Sequence, residues 1–315
     1  LSKRFGRVFL RVGEPISASD FFGEQPRPWS DLDQQHRSEA VGLLGEQIVH
    51  RIARQMAVLP TGIVSMALLS QSGSGVTRSQ VYDRVQRFDA YLSQLGVEQA
   101  GSTSESGYAI EQALARFVDD RLLHLLSEED TTIYQVIREK RITLEYYKNV
   151  LVHFVAPISL MAAAIRGCRA KHQDGCFPID EVCRLYQSQA FLLRYEFTLD
   201  PDISIDVLME RSLHQLSSYG AIEIVPDTQG GGMAYRVLER EWIMELAELT
   251  RNFLESYYLV LRACRTLRSR DISAVDLPTK IRDVGQGLLA IEELRRPEAL
   301  SLLNIKNAVK AFREE

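Results

Sequence analysis

Residues 142–165 read ITLEYYKNVLVHFVAPISLMAAAI. This stretch is apolar on most faces of a helix, which is typical of a helix buried in a protein core. Pro157 lies inside the stretch and cannot donate the helical backbone hydrogen bond, so it favours a kink. We therefore expect a kinked, deeply buried helix from Ile142 to Ile165 at the centre of the fold.

Two apolar segments are long enough to raise the question of a membrane. They are 56–69 and 150–165, and each contains a proline. Both are shorter than the roughly 18–20 residues that a spanning helix needs. We expect buried helices, with a shallow helix lying in the lipid headgroup plane as the alternative.

Helical patterns surround the central stretch. Thr77 and Gln80 have the spacing of a capping box, and the apolar residues after them recur at steps of four and three up to Leu95. Further helices are predicted at 34–58, 61–69, 110–126, 179–194, 203–219, 240–267, 279–294 and 297–313. The sequence shows no internal repeat at a fixed period.

Strand signals are few. The run from Val8 to Val12, stopped by Gly13 and Pro15, predicts one strand whose sheet partners lie outside this chain. A hairpin is predicted at 222–238, where two β-prone runs flank three glycines; after two helices it resembles a winged-helix unit. The predicted fold class is mainly α (α+β): a multi-helix array with one N-terminal strand and a small winged-helix-like hairpin.

The amino-acid composition excludes several classes of protein. The 315 residues include 45% hydrophobic and 25% charged residues, which excludes a disordered chain. The net charge of −5 argues against a protein that coats nucleic acid. The four cysteines are irregularly spaced, so neither a disulfide framework nor a zinc site is expected. No apolar segment typical of a secretory signal follows the first residues, and the chain reads as a piece of a longer one.

Catalytic motifs are missing from the sequence. It contains no phosphate-binding GxxxxGK loop, no zinc-binding HExxH pair and no GxSxG serine elbow. None of the six histidines is followed five positions later by an aspartate, and His124 is interpreted as a residue of an amphipathic helix. The common enzyme classes therefore lose support, and these motifs predict no metal or cofactor site.

Positive charge concentrates around the central stretch. Residues 138–171 hold seven basic and two acidic side chains. Three of these basic residues lie just before a helix, where positive charge is unfavourable. They are Arg138, Lys140 and Arg141, and a bound anion would balance their charge. A phosphate-bearing substrate, coenzyme A or an anionic lipid fits this need, and a solvated basic loop is the alternative.

Four segments together resemble one family, the large membrane-associated glycerol-3-phosphate acyltransferases and the related dihydroxyacetone-phosphate acyltransferases. The segments are GRVFLRVGEPI (6–16), LPTGIVSMALL (59–69), LEYYKNVLVHF (144–154) and RRPEALS (295–301), in matching order. The resemblance is to the C-terminal half of the family. The third segment adds Tyr147, Lys148 and His153 to the basic residues as candidates for a substrate edge.

The resemblance implies that the parent enzyme transfers a fatty acyl group from acyl-coenzyme A or acyl carrier protein to the 1-hydroxyl of glycerol 3-phosphate. The family's HxxxxD motif and phosphate-binding motifs have no counterpart here, so the isolated chain is expected to be inactive. Its expected partners are the catalytic domain before Leu1, both substrates and a lipid surface, but no nucleic acid. The implied location is the cytoplasmic face of a bacterial inner membrane, with the mitochondrial outer membrane as the alternative.

The same resemblance suggests a division of the chain. Residues 1–16 would be the terminal strand of the catalytic domain, 17–170 a first helical subdomain and 171–315 a second one. A rival interpretation is a winged-helix regulatory or nucleic-acid-binding protein, which the single Arg211 beside Asp206 and Glu210 in the helix at 205–219 opposes. An enzyme whose site is assembled from scattered residues also remains open.

Overall fold

A computed structural model describes residues 9–23, 29–71, 73, 75–100, 106–128, 131–168, 175–227, 232–268 and 272–314. The helices are α1 (Ala18–Gly23), α2 (Gln34–Arg54), α3 (Pro60–Leu69), α4 (Arg78–Gln94), α5 (Ser106–Asp119), α6 (Arg141–Asn149), α7 (Val152–Cys168), α8 (Ile179–Leu192), α9 (Ile205–Ser218), α10 (Arg240–Glu248), α11 (Arg251–Leu267), α12 (Leu277–Ala290) and α13 (Leu302–Arg313). The strands are β1 (Gly75–Thr77), β2 (Leu123–Glu128), β3 (Thr131–Val136), β4 (Cys176–Pro178), β5 (Ile222–Pro226) and β6 (Met233–Val237). The predicted mainly α class is confirmed.

The central apolar stretch forms two helices instead of one kinked helix. α6 and α7 meet at a bend of 105°, whereas α7 continues through Pro157. At the bend, the Leu151 amide donates to the Lys148 carbonyl and the Phe154 amide donates to the Leu151 carbonyl. Both hydrogen bonds span three residues, as in a 3-10 turn, and not the four residues of an α-helix. The predicted kink position is therefore wrong. The predicted burial is confirmed, since twelve of the seventeen residues of α7 are buried.

Three helical units follow one another along the chain. In each unit, the first helix packs against the second and third: α3 against α4 and α5, α7 against α8 and α9, and α11 against α12 and α13. In the first two units a short helix then packs back onto the first helix, α6 onto α3 and α10 onto α7. α6 and α10 both have nine residues, α7 and α11 both have seventeen, and each pair starts 99 positions apart.

The first two units also carry sheets of the same design. The strand orders are β1–β3–β2 and β4–β6–β5, both antiparallel, which with the helices is the winged-helix arrangement. The registers match as well, because Val76 lies opposite Tyr134 in one sheet and Phe177 lies opposite Tyr235 in the other. The predicted hairpin at 222–238 is confirmed by β5 and β6, and a second one at 123–136 was not predicted. The structure thus shows a repeat of units that no fixed period in the sequence indicates.

The helix predicted at 110–126 ends early, at Asp119. Arg121 has a φ of 54°, a left-handed conformation that stops a helix, and the Leu122 amide then bonds the Phe117 carbonyl at 2.8 Å. The residues after it form β2, so His124 lies in a strand and its helical interpretation is wrong. Gly220, with a φ of 67°, ends α9 in the same way.

Two further predictions are corrected at breaks in the chain. The single helix expected at 240–267 is split into α10 and α11, because the Phe253 and Leu254 amides both bond the Thr250 carbonyl and begin a new helix. The strand expected at 8–12 is absent from residues 9–17, since no described strand lies beside them. These residues run instead along α2, where Arg51 donates to the carbonyl of Pro15 at 3.1 Å, and Arg11 forms an ion pair with Glu98 beyond the end of α4.

Buried side chains from all three units belong to one continuous apolar core. The boundary expected at 170/171 lies within 169–174, outside the described residues, as do Arg169 and Lys171 of the basic region. The division into subdomains 17–170 and 171–315 therefore stays a prediction.

Candidate functional site

The inner face of α6 is charged. Arg141, Glu145 and Lys148 are spaced by four and three residues, so they share one side of the helix. All three are buried, with exposed fractions of 8%, 4% and 1%. Burying charge is costly unless each group finds a partner of opposite charge or a hydrogen bond, so the partners of these residues define the site.

Lys148 is held from two sides. Its Nζ lies 2.6 Å from Glu145 Oε2, and it donates to the carbonyl of Leu249 at 2.7 Å and to Oδ1 of Asn252 at 3.4 Å. The Leu249 carbonyl is available because it lies at the break between α10 and α11. The lysine of the first unit is thereby anchored to the junction of the second and third units.

Arg141 reaches the C-terminal part of the chain. Its Nε lies 3.3 Å from Glu298 Oε1, and its Nη2 lies 3.6 Å from Glu145 Oε1. Glu298 belongs to a short 3-10 turn, Pro297–Leu300, that precedes α13. This contact spans more than 150 residues of sequence.

Glu248, the last residue of α10, accepts hydrogen bonds from three guanidinium groups. Arg166 of α7 donates at 2.9 Å, Arg251 of α11 donates at 2.7 Å, and Arg296 also donates to it. Arg296 further donates to the carbonyl of Gln71 at 2.9 Å. One carboxylate therefore joins residues from the second and third units, and Arg296 extends the contact to the end of α3.

Glu255 of α11 completes the site. It accepts from Arg251 Nε at 2.7 Å and from the backbone amides of Arg295 and Arg296 at 2.9 and 2.8 Å, so it fixes the turn that carries Glu298. We call the set the charged cluster; it consists of Arg141, Glu145, Lys148, Arg166, Glu248, Arg251, Glu255, Arg296 and Glu298. Five cations meet four carboxylates where the three units join.

The pKa shifts follow from burial and pairing. Burial lowers the pKa of Lys148 although Glu145 opposes the change, and burial raises the pKa of Glu298 with Glu145 adding to the effect. Burial also acts to raise the pKa of Glu248, but Arg296 and Arg251 outweigh it and the net change is downward. Glu248 is therefore a stable anion at neutral pH, and the arrangement suits a structural junction more than proton transfer.

The six candidates from the sequence do not converge on one place. Arg138 and Lys140 are exposed on a 3-10 turn before α6, whereas Arg141 and Lys148 point into the charged cluster. Tyr147 is half-buried, with its ring 5.5 Å from that of Phe117.

His153 lies apart from the charged cluster, on α7. Its Nε2 is 3.2 Å from the carbonyl of Ala53, and burial lowers the pKa of its imidazole to about 4. It is therefore neutral at physiological pH. Its observed contacts are with the end of α2 and with the ring of Phe154, whose centroid is 3.9 Å away.

Sequence reasoning did not identify two features. The acidic partners Glu248 and Glu298 were missed, since only folding brings them near α6. His50 and Asp200 were also missed; their Nε2 and Oδ2 atoms lie 3.4 Å apart, although the residues are 150 positions apart in sequence. Across the described residues, no group of three or more His, Cys, Asp or Glu side chains is placed to hold a metal ion.

An apolar groove of about 680 Å³ lies between the N-terminal segment and α2. Residues from Phe9 to Ile16 form one side, and Ile48, Ile52 and Met56 contribute to the other. Neither His50 nor Asp200 lines it. The groove is thus separate from both the charged cluster and the histidine–aspartate pair.

No single helix of the described ranges combines the length and the apolar composition of a membrane span. The bent pair Arg138–Asn149 and Val152–Cys168 meets the length and composition criteria only when taken together. Most of α7 is buried in the core.

Comparison with known proteins gives a consistent result. Residues 1–315 match a family model described as the glycerol-3-phosphate acyltransferase C-terminal region. Glycerol-3-phosphate acyltransferases of Pseudomonas fluorescens Pf0-1 and Aeromonas hydrophila are 22% and 24% identical over 95% and 99% of the chain. That of Haemophilus influenzae PittEE is 22% identical over 94%. The chain spans only 36–38% of the length of these relatives.

Proposed function

The chain belongs to the family of glycerol-3-phosphate acyltransferase C-terminal regions, and we propose that it is the helical C-terminal part of an enzyme that acylates glycerol 3-phosphate. The observation that carries the proposal is the match of the family model to all 315 residues. The acyl donor would be acyl-coenzyme A or acyl carrier protein, bound as a substrate and not as a cofactor. The product would enter phospholipid synthesis.

In this proposal the acyl transfer itself belongs to the part of the protein that the relatives have and this chain does not span. The charged cluster supports a scaffold role for the chain, because each of its carboxylates contacts an arginine or a lysine and the ion pairs join the three units. The isolated chain would therefore be inactive.

The direct test is acylation of radiolabelled glycerol 3-phosphate with palmitoyl-coenzyme A and with palmitoyl-acyl carrier protein. The complete protein that carries these 315 residues should form lysophosphatidate, and the 315-residue chain alone should not. Failure of the complete protein with both donors would refute the proposed activity. Product formation by the 315-residue chain would instead reveal a site assembled from scattered residues such as His50 and Asp200.

The exposed basic pair is the part of the predicted substrate edge that a ligand can reach. Arg138 and Lys140 have no recorded carboxylate partner within the described residues, and Ile142 and Tyr146 are exposed on the next turns, at 67% and 72%. We propose that this edge contacts the phosphate of a substrate or an anionic lipid headgroup.

Replacement of Arg138 and Lys140 by alanine in the complete protein tests the edge. We expect a several-fold higher KM for one substrate with kcat retained, since a phosphate contact far from the reacting atoms contributes to binding in both ground and transition states. Arg265→Ala with Arg268→Ala removes two exposed cations, one in the last turn of α11 and one just after it, and serves as the matched control. Equal KM values in both double variants would exclude a substrate role for the edge.

The proposed location is the cytoplasmic face of a bacterial inner membrane, and the three relatives named above are bacterial. Fractionation of cells that express the complete protein tests it, and recovery in the soluble fraction would contradict it. These bacterial relatives do not support the mitochondrial outer membrane as the location.

The nucleic-acid-binding alternative is unsupported. The winged-helix order is present in both of the first two units, but α9, in the position of a recognition helix, exposes Asp206 and Glu210 beside Arg211. That surface lacks the excess of positive charge that phosphate backbones require.

A further inference from the structure

Helix α2 presents its apolar side to solvent. Among its 21 residues only Ala40 and Ala53 are buried. Val41, Ile48, Val49 and Ile52 are exposed by 53%, 41%, 51% and 58%. Positions separated by 7, 8 and 11 residues share one side of a helix, so these four side chains form a single stripe. An amphipathic helix normally buries such a stripe, and this one points away from the core.

The stripe continues into the groove beside it. Ile48 and Ile52 line the groove together with Met56 at the end of the helix. The N-terminal segment covers the groove incompletely, since Leu10 and Val12 are themselves 88% exposed. We call Leu10, Val12, Val41, Ile48, Val49, Ile52 and Met56 the α2 surface. A contiguous apolar patch of this kind marks an interaction site in a folded protein.

The repeat indicates what covers the α2 surface. The helices α6 and α10 stand immediately before the first helix of the next unit, and each packs onto the first helix of the unit before it. α2 holds the same position before α3, the first helix of the first unit. By this rule its partner is an element that comes earlier in the same polypeptide, and among the described residues before α2 the segment from Phe9 to Ile16 borders only the groove.

We propose that the α2 surface is the docking site for the acyltransferase part of the enzyme, the region that precedes this one in the relatives. The proposal rests on the proposed function. The relatives extend well beyond the matched region, which fills 36–38% of their length, and the family model describes that region as C-terminal. The four side chains of the stripe are aliphatic, and the charged side chains beside it in the groove are of both signs (Arg11, Glu14 and Arg51), so a packed protein surface fits it better than a phosphate-rich one.

Cysteine labelling in the complete protein tests the proposal. After Cys176, Cys183 and Cys264 are changed to serine, Ile52→Cys places a thiol in the stripe, and Val41→Cys provides a second position in case the first impairs folding. Leu43→Cys is the control: Leu43 is 50% exposed and lies nine positions from Ile52, about half a turn around the helix at 100° per residue. Maleimide labelling rates are measured on protein that is active in the acylation assay.

We expect the thiols at 52 and 41 to react at least about tenfold more slowly than the thiol at 43, because a packed interface must open before reagent enters. Equal rates in active protein would overturn the docking proposal while leaving the proposed function intact. Protection that requires phosphatidylethanolamine–phosphatidylglycerol vesicles would assign the surface to lipid, and protection lost on dilution would assign it to a second copy; either result overturns the proposal. Absence of acylation by every form would reject the proposed function itself.

Discussion

Replacement of Glu248 by glutamine tests whether the charged cluster holds the three units together. The substitution keeps the size of the side chain and removes its charge. Glu248 is only 4% exposed and accepts from Arg166, Arg251 and Arg296. In the variant, those three guanidinium groups stay in the junction without the carboxylate that balances them.

The size of the effect follows from the partners that remain. Breaking a buried ion pair by removing one member costs about 3–5 kcal/mol. Arg251 keeps Glu255 at 2.7 Å and Arg296 keeps the Gln71 carbonyl at 2.9 Å, but Arg166 loses the carboxylate that it contacts. Since the side chain of Arg166 is 24% exposed and partly hydrated, we expect the lower end of that range, about 3 kcal/mol.

Urea unfolding followed by circular dichroism measures this loss as a lower transition midpoint. Glu223→Gln is the matched control, because Glu223 contacts Arg236 at 3.0 Å while 43% of its side chain is exposed. An exposed pair contributes about 0–1 kcal/mol, so the control should unfold close to the unaltered chain. If Glu248→Gln and Glu223→Gln had the same midpoint, the charged cluster would not stabilise the junction and this reasoning would be wrong.

Two further predictions concern packing and pH. A methyl group on Gly285 would overlap Leu300 Cδ2 and lie 2.8 Å from Leu259 Cδ2, so Gly285→Ala should destabilise the chain by about 1–3 kcal/mol in urea unfolding. Gly287→Ala, two positions along the same helix and with nothing within 4 Å, should instead stabilise it by about 0.5–1 kcal/mol, and a shared sign would contradict this assignment. Burial raises the pKa of Glu196 from 4.5 to about 7, so the folded chain binds this proton more tightly than the unfolded chain does. The folded chain therefore loses stability as the pH rises from 4.5 through 7. Glu196→Gln should flatten this part of a plot of unfolding free energy against pH, and an unchanged slope would show that Glu196 is not its source.

The sequence predicted the burial of α7 but not the partners of α6, and the reason is physical. An apolar run predicts burial without knowledge of its partners, because the transfer of apolar surface out of water is favourable whichever element it packs against. The count of charges predicted an anion at Arg138, Lys140 and Arg141, and the structure gives Arg141 carboxylate partners from the chain itself. The anion nearest in sequence, Glu145, was visible at helical spacing, but Glu298 lies far along the chain and meets Arg141 only after folding.

The repeat escaped sequence reasoning because the units share positions and not residues. Strands β3 and β6 have the same register, yet among their paired positions only Tyr134 with Tyr235 and Val136 with Val237 are identical. A left-handed residue ends the third helix in both units, but it is an arginine in one and a glycine in the other. Glycine signals such a turn in sequence, whereas Arg121 does not, so the helix was extended through β2.

Each of the four segments that resemble the acyltransferase family has a distinct place in the structure. Residues 59–69 form α3, the buried first helix of the first unit, and 6–16 include the described residues that border the groove beside α2. Residues 144–154 and 295–301 are far apart in sequence, yet they bring Glu145, Lys148, Arg296 and Glu298 into the charged cluster.

The third unit explains why the fourth segment is part of this set. In that unit the described residues form no wing strands, and the turn Pro297–Leu300 stands between α12 and α13. Glu255 binds the backbone amides of 295 and 296 and thereby aims Arg296 at Glu248 and Glu298 at Arg141. The turn thus lies where it can close the junction of three similar units. A rigid junction would in turn hold the end of α3 in a fixed orientation, because Arg296 also donates to the Gln71 carbonyl.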